Sequence, residues 1–125
     1  MRKNDSRRLT AGWGEERAVA HLRAQGYTIL DRNWRCRLGE LDIVAKDGAT
    51  MVFVEVKSRR SGTFGAPQAA VDERKQRKLS LLALQYFQSR RIAPCPARFD
   101  VVAVTVGKDG GEVDLIRNAF DFRGG

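Results

Sequence analysis

Three charged side chains on two neighbouring predicted strands could together bind a metal ion and a phosphate. The segment VFVEVKSRR, residues 52 to 60, is dense in valine and predicts a buried strand, yet it carries Glu55 and Lys57. Side chains alternate between the two faces of a strand, so these two charges share one face. In the preceding predicted strand, LGELDIVAK, the same alternation puts Asp42 on one face with Glu40.

The chemistry of such a cluster follows from its charges. Two carboxylates that face each other across a hairpin repel, and a divalent cation reverses the sign of that interaction. Mg²⁺ commonly takes one or two carboxylates together with waters and a phosphate oxygen. Lys57 could then stabilise negative charge on an attacking water or a scissile phosphate. The pattern therefore predicts Asp42 and Glu55 as metal ligands beside Lys57.

The register of the hairpin decides which side chains meet, and the sequence leaves two alternatives. A four-residue loop over residues 47 to 50 puts Asp42 directly opposite Glu55. A two-residue Asp-Gly turn would instead put Asp42 opposite Phe53, with the two carboxylates as diagonal neighbours.

A further carboxylate lies on the first predicted helix, on the face that is expected to pack against the sheet. Glu15 falls at helical spacing with three apolar residues, so it lies on the packing face and could supply another oxygen ligand; those residues are Ala18, Val19 and Leu22. The bland alternative is that charges near strand ends are solvated, with Glu40 and Lys57 forming a plain ion pair across the hairpin.

The elements that must position these residues predict a single α/β domain with a mixed β-sheet flanked by helices. A long helix between two strands is typical of a right-handed crossover, so the third and fourth strands should be parallel. The predicted elements are a helix from Thr10 or Ala11 to about Gln25, strands over 27–35, 38–46 and 51–59, a helix from Pro67 to about Ser89, a strand over 98–106, and an edge strand or short helix over 113–120.

The charge of the chain favours a polyanionic partner. The net charge is +8 and the isoelectric point is about 10.2, which points first to nucleic acid. Lys75 and Lys78 on the second helix are candidates for phosphate contacts, and so are Arg59 and Arg60 before a glycine-rich loop. A solvated helix turn and a simple connector are the alternatives.

Several motifs, taken in order, resemble the YraN-like family of small bacterial proteins. The resemblance rests on GELDIVA followed by VFVEVKSR, with GYTILDRNWR, FGAPQAAVDERK and RFDVVAV, and covers about residues 12 to 120. That family is similar to archaeal Holliday junction resolvases and to the wider PD-(D/E)xK nucleases. The resemblance implies a restriction-endonuclease-like fold with an α-β-β-β-α-β core, and Mg²⁺- or Mn²⁺-dependent hydrolysis of DNA, with branched DNA as one candidate substrate.

The resemblance also implies roles for individual residues. Some relatives have a polar residue near the metal at the position of Gln68, which is a weak candidate together with Glu40. The residue before Asp42 is Leu41, where the family motif often has proline. The motif's two acids, its lysine and the helix glutamate of the resolvase branch are matched by Asp42, Glu55, Lys57 and Glu15.

These observations lead to one function hypothesis with two alternatives. We expect a metal-dependent DNA endonuclease; the alternatives are a non-catalytic nucleic-acid-binding protein and an interaction protein without nuclease activity. The resolvases suggest a homodimer, which the sequence itself does not show. No apolar run could span a bilayer and no secretory signal is visible, so a cytoplasmic protein without membrane contact is expected. The expected organisation is a disordered basic arm (1–9), the domain (10–120) and a tail (121–125).

Overall fold

The computed structural model describes residues 3–62, 65–107 and 110–124. The alternation of short apolar segments with turn residues gives five strands, and the two longer periodic segments give the helices. The elements are α1 (Lys3–Ala24), β1 (Thr28–Cys36), β2 (Gly39–Asp47), β3 (Thr50–Arg60), a 3-10 turn (Pro67–Ala70), α2 (Glu73–Arg90), β4 (Ala97–Gly107) and β5 (Gly110–Phe120).

The strands form one mixed sheet in the order β1-β2-β3-β4-β5. The first three strands are an antiparallel meander, β3 and β4 are parallel, and β5 is antiparallel to β4. The predicted crossover through α2 is therefore confirmed, and the last element is an edge strand rather than a short helix. The predicted single-domain α/β fold is confirmed too, and its mixed sheet with two helices is consistent with a restriction-endonuclease-like fold.

The two helices cover opposite faces of the sheet, because alternate residues of β3 pack into different hydrophobic clusters. Val52 and Val54 pack with the buried residues of α1, which are Ala18, Val19 and Leu22. Met51 and Phe53 pack with the buried residues of α2, which are Leu79, Leu82, Ala83 and Tyr86. The face of β3 that carries Glu55 and Lys57 is therefore the face covered by α2.

Both helices begin at residues other than those predicted. The helix predicted from Thr10 or Ala11 already begins at Lys3, so residues 3 to 9 continue α1 where a disordered arm was expected. Pro67 opens a short 3-10 turn instead of the long helix. Asp72 then caps α2 by accepting the backbone N–H of Lys75 at 2.8 Å, so α2 starts at Glu73.

Among the described residues, neither helix combines the length and the hydropathy that a membrane-spanning segment needs.

Candidate functional site

The hairpin between β2 and β3 sets the positions of the acidic residues. Lys46 pairs with Met51, which is the register of the four-residue alternative. Asp47 pairs with Thr50 as well, so only two residues form the turn, and the first of them is Gly48 at φ 61°. The Asp-Gly turn alternative is wrong, because the turn lies one residue further along the chain.

Asp42 lies where β2 and β3 separate. The paired region ends at Ile43 and Val54. Asp42 is the residue before Ile43, and here a side chain instead of the β2 backbone bonds to β3: Oδ2 of Asp42 accepts the N–H of Val56 at 2.9 Å. This bond holds the carboxyl group of Asp42 against β3, beside the side chain of Glu55.

The surroundings of Asp42 favour its protonated form. Burial raises the pKa of Asp42 most, and the negative charge of Glu55 and the hydrogen bond between the two carboxyl groups raise it further. The N–H of Val56 and the ammonium of Lys75 act in the opposite direction. The pKa of Asp42 rises from 3.8 to about 7. Near neutral pH Asp42 is therefore partly protonated, and a bound cation would displace that proton.

Glu55 is a buried carboxylate between two lysines from different elements. Its side chain is 7% exposed, and its Oε2 lies 3.4 Å from Nζ of Lys75 and 3.8 Å from Nζ of Lys57. The alternation of β3 puts Lys57 on the same face as Glu55, whereas Lys75 lies in the first turn of α2. A buried charge needs such partners, because burial without compensation is costly.

Glu15 lies on α1, which covers the opposite face of the sheet from α2. Its Oε2 accepts a hydrogen bond from Nδ2 of Asn33 at 3.1 Å. Asn33 has φ 53° and lies between the pairs that β1 makes with Ile43 and Leu41, so it is level with Asp42. Glu15 is therefore bound to a residue of β1 at the level of Asp42, but among the described residues it does not form a group of three metal ligands with Asp42 and Glu55.

The donor set of the cluster fits a hard divalent cation with few protein ligands. In the part of the chain that the structure describes, no group of three or more His, Cys, Asp or Glu side chains is placed to hold a metal ion. Asp42 and Glu55 are two adjoining carboxyl groups on neighbouring strands. Because Mg²⁺ keeps several waters and binds proteins through one or two carboxylates, this pair is sufficient for it.

The two weak candidates are placed differently. Glu40 forms an ion pair with Arg35, the residue opposite it on β1, at 2.9 Å from Nε. The alternative in which Glu40 pairs with Lys57 is therefore wrong. It fails because the β2–β3 ladder ends before Glu40 is reached. Gln68 lies in the 3-10 turn, and within the described ranges its buried Oε1 has no hydrogen-bond partner. Such a buried acceptor is normally satisfied.

Comparison with known proteins places the chain in a family. The sequence pattern of the uncharacterised protein family UPF0102 matches residues 14–104. The chain belongs to this family. A UPF0102 protein of Syntrophus aciditrophicus is 51% identical over 112 residues, which cover 90% of this chain and 88% of the relative. A UPF0102 protein of Caldicellulosiruptor saccharolyticus is 50% identical, with 86% and 92% covered. The YraN-like resemblance is thereby confirmed.

The basic candidates of this UPF0102 chain fall into two groups. Arg59 supports the loop after β3, because its Nη1 donates to the carbonyl oxygen of Gly65 at 2.9 Å, and Arg60 beside it is exposed. Lys75 contacts Glu55. Lys78 lies one turn further along α2 and is exposed.

Three contributors to this UPF0102 site were not predicted from the sequence: Asn33, Arg35 and the N–H of Val56. A signal existed for the first, since asparagine tolerates positive φ better than most residues and Asn33 has φ 53°. The other two depend on where β2 leaves β3, which the hydrophobic pattern does not reveal.

Proposed function

We propose that this protein is a metal-dependent endonuclease that hydrolyses phosphodiester bonds of DNA. One observation carries the proposal: Asp42 and Glu55 adjoin on neighbouring strands beside Lys57 and Lys75, and the pKa of Asp42 is raised to about 7. Carboxyl groups whose surroundings shift their pKa towards neutrality are typical of functional sites. The basic charge of the chain supports a polyanionic substrate.

Each residue has a distinct task in this proposal. Asp42 and Glu55 hold the cation, and the N–H of Val56 keeps the Asp42 carboxylate in place. A bound Mg²⁺ or Mn²⁺ would supply an activated water and neutralise charge on the phosphate. The ammonium of Lys57, whose side chain is 34% exposed, would stabilise the negative charge that develops on the phosphate oxygens.

The resemblance to resolvases extends the proposal to branched DNA. A junction has two strands to cut, so a homodimer would bring one site to each strand. Gln68 remains a weak candidate: its Oε1, which has no hydrogen-bond partner among the described residues, would gain one if a metal-bound water or a substrate donor reached it.

A non-catalytic nucleic-acid-binding protein is the second candidate. It is favoured by the two lysines around Glu55, which already balance the buried charge without a cation. In that case the cluster would be a structural ion-pair network, and the basic surface alone would bind nucleic acid.

A cleavage assay separates the two candidates. Labelled duplex, single-stranded and four-way-junction DNA are incubated with Mg²⁺, Mn²⁺ or EDTA, using the wild type, Asp42→Asn, Lys57→Ala and the control Glu40→Gln. We expect metal-dependent cleavage that is lost in the first two variants and kept in the control. Salt-sensitive binding without cleavage in every variant would instead establish the non-catalytic protein.

A further inference from the structure

A groove lined by basic side chains and two leucines lies on the outer side of the N-terminal half of α2. Its volume is about 550 Å³, within the range of ligand-binding clefts. It lies between the β1–β2 hairpin, the N-terminal half of α2 and the C-terminal segment. The lining residues that matter here are Leu38, Arg74, Arg77, Lys78, Leu81 and Arg123.

The cations of the groove are not all neutralised by the protein. Arg77 and Arg123 are both near Glu73, at 4.0 Å and 3.9 Å. Within the described ranges, Arg74 and Lys78 have no acidic side chain at ion-pair distance. The groove therefore offers an excess of positive charge to an anionic ligand.

The groove also has an exposed apolar part, formed by two leucines. Leu38 at the hairpin and Leu81 on α2 are 43% and 46% exposed. A ligand that only carried phosphates would leave these side chains in water. A ligand that also has flat apolar faces would cover them, which is favourable by the hydrophobic effect.

The groove begins next to the proposed catalytic site. Lys75 contacts Glu55, and Lys78 follows at i+3, so the two side chains are neighbours along α2. Lys78 also lies against the start of β2, where a Cβ added to Gly39 would be 3.1 Å from its Cε. A strand that leaves the acidic pair in this direction would meet Lys78 and then the groove.

We propose that the groove holds a single-stranded segment of nucleic acid next to the phosphodiester bond at the acidic pair. The proposal rests on the proposed nuclease function and specifies its substrate as DNA with an unpaired strand. Unpaired bases present apolar faces for Leu38 and Leu81, and their phosphates match Arg74 and Lys78. In a blunt duplex the bases are stacked on one another, so the duplex would use only the cations.

Binding in EDTA tests the groove without involving catalysis. Fluorescence anisotropy would compare a labelled oligothymidylate of about 12 nucleotides with a blunt duplex of about the same length. The variants are Leu81→Ser and Leu38→Ser. The matched control is Leu84→Ser, also an exposed leucine of α2, at 54%, but outside the groove. All four proteins are first compared by thermal unfolding.

We expect both groove variants to weaken oligothymidylate binding about 5-fold or more, with duplex binding changed less than about 2-fold. The control should bind both ligands like the wild type. Unchanged oligothymidylate binding, or equal losses for both ligands or in the control, would overturn the proposal. So would tighter binding of an acidic peptide of alternating Glu and Leu with the same charge as the oligonucleotide. Loss of the proposed nuclease function would appear separately, as absent cleavage in the metal-containing assay.

Discussion

At the scale of single residues, Asp42 couples protonation to folding. Its pKa is raised in the folded protein from 3.8 to about 7, so the folded state binds this proton more tightly than the unfolded chain. The resulting stabilisation is complete below pH 3.8 and is lost as the pH rises through about 7. At about 1.4 kcal/mol per pKa unit, the loss is on the order of 4 kcal/mol.

We therefore expect the free energy of unfolding of the wild type in EDTA to fall between pH 4 and pH 7 relative to that of Asp42→Asn. Asparagine keeps the shape and can still accept the N–H of Val56, but it does not titrate. Urea unfolding at a series of pH values measures the difference, with Glu40→Gln as a control that should follow the wild type. Parallel curves for the wild type and Asp42→Asn would contradict the assignment.

A divalent cation should reverse this loss. At pH 8 Asp42 has largely lost its proton and is charged beside Glu55. Binding of Mg²⁺ or Mn²⁺ should then relieve the repulsion at this pair and stabilise the folded state. We expect the melting temperature of the wild type to rise with Mn²⁺ concentration, and those of Asp42→Asn and Glu55→Gln to stay constant. Calorimetry at pH 7 in buffers of different ionisation enthalpy should also show proton release on binding. Binding without proton release would show that the cation does not displace the proton of Asp42.

The two lysines around Glu55 should have different effects, Lys75 on the affinity for the metal and Lys57 on the rate of cleavage. Lys75 is the closer of the two to Glu55, and its ammonium competes with a cation for the same carboxylate. We expect Lys75→Met to tighten Mn²⁺ binding about 3-fold, whereas Lys57→Met should mainly lower kcat by about 100-fold. Arg77→Met, a neighbouring change that leaves Glu55 untouched, is the control for Mn²⁺ titrations. Weaker Mn²⁺ binding by Lys75→Met would mean that this lysine orients Glu55 for the cation.

The residues of the site were predictable as far as strand periodicity reaches. Alternation places Glu55 and Lys57 on one face, whereas the register that brings Asp42 to Glu55 was one of the two alternatives that the sequence left open. The N–H of Val56 and the ion pair of Glu40 were not predictable, because both depend on where two strands separate. That point is set by packing between elements, which a single sequence does not show.

At the scale of elements, the start of α2 determines the position of Lys75. The sequence predicts the helix from Pro67, yet Val71 is extended and Asp72 caps the first turn. Capping residues compete with helix continuation, so the long apolar periodicity was divided into a 3-10 turn and a helix. This cap fixes the backbone of Lys75 directly, since its N–H is the donor to Asp72.

Removing the cap should therefore affect both stability and the site. We expect Asp72→Ala to lower the free energy of unfolding by about 1 kcal/mol and Asp72→Ser, which retains a capping oxygen, to restore most of it. If the first turn frays, Lys75 leaves Glu55, and Mn²⁺ affinity should change in the same direction as in Lys75→Met. Urea unfolding and Mn²⁺ titration of the same samples measure both effects. Destabilisation in the alanine variant with unaltered Mn²⁺ affinity would separate the cap from the site.

At the scale of the whole molecule, the fold divides its two faces between different tasks. The sheet topology was predictable from the order of the elements, because a meander followed by a crossover has few arrangements. The face covered by α1 is mainly apolar and also buries Asp100, which accepts the hydroxyl of Tyr27 at 2.7 Å and pairs with Arg98. The face covered by α2 is apolar near the β2–β3 turn and charged where the strands separate. The charge at that end of the sheet is the part that packing alone does not require.

The net charge of +8 leads to a final prediction, because it leaves open whether nucleic acid is attracted by the whole surface or by one side of it. Each phosphate contact contributes about 0.9 to the salt dependence of duplex binding. If the outer side of α2 is the binding surface, Arg74→Ala/Lys78→Ala should reduce the slope of log affinity against log salt by about 2. The control Arg23→Ala/Lys46→Ala has the same change in net charge, at exposed positions on the last turn of α1 and at the turn end of β2. Anisotropy titrations of a blunt duplex at a series of salt concentrations distinguish the two cases. Equal slopes for both double variants would mean that the charge acts as a uniform field. A reduced slope in the α2 variant alone would assign the phosphate contacts to the side of the molecule where α2 places Lys75 beside Glu55.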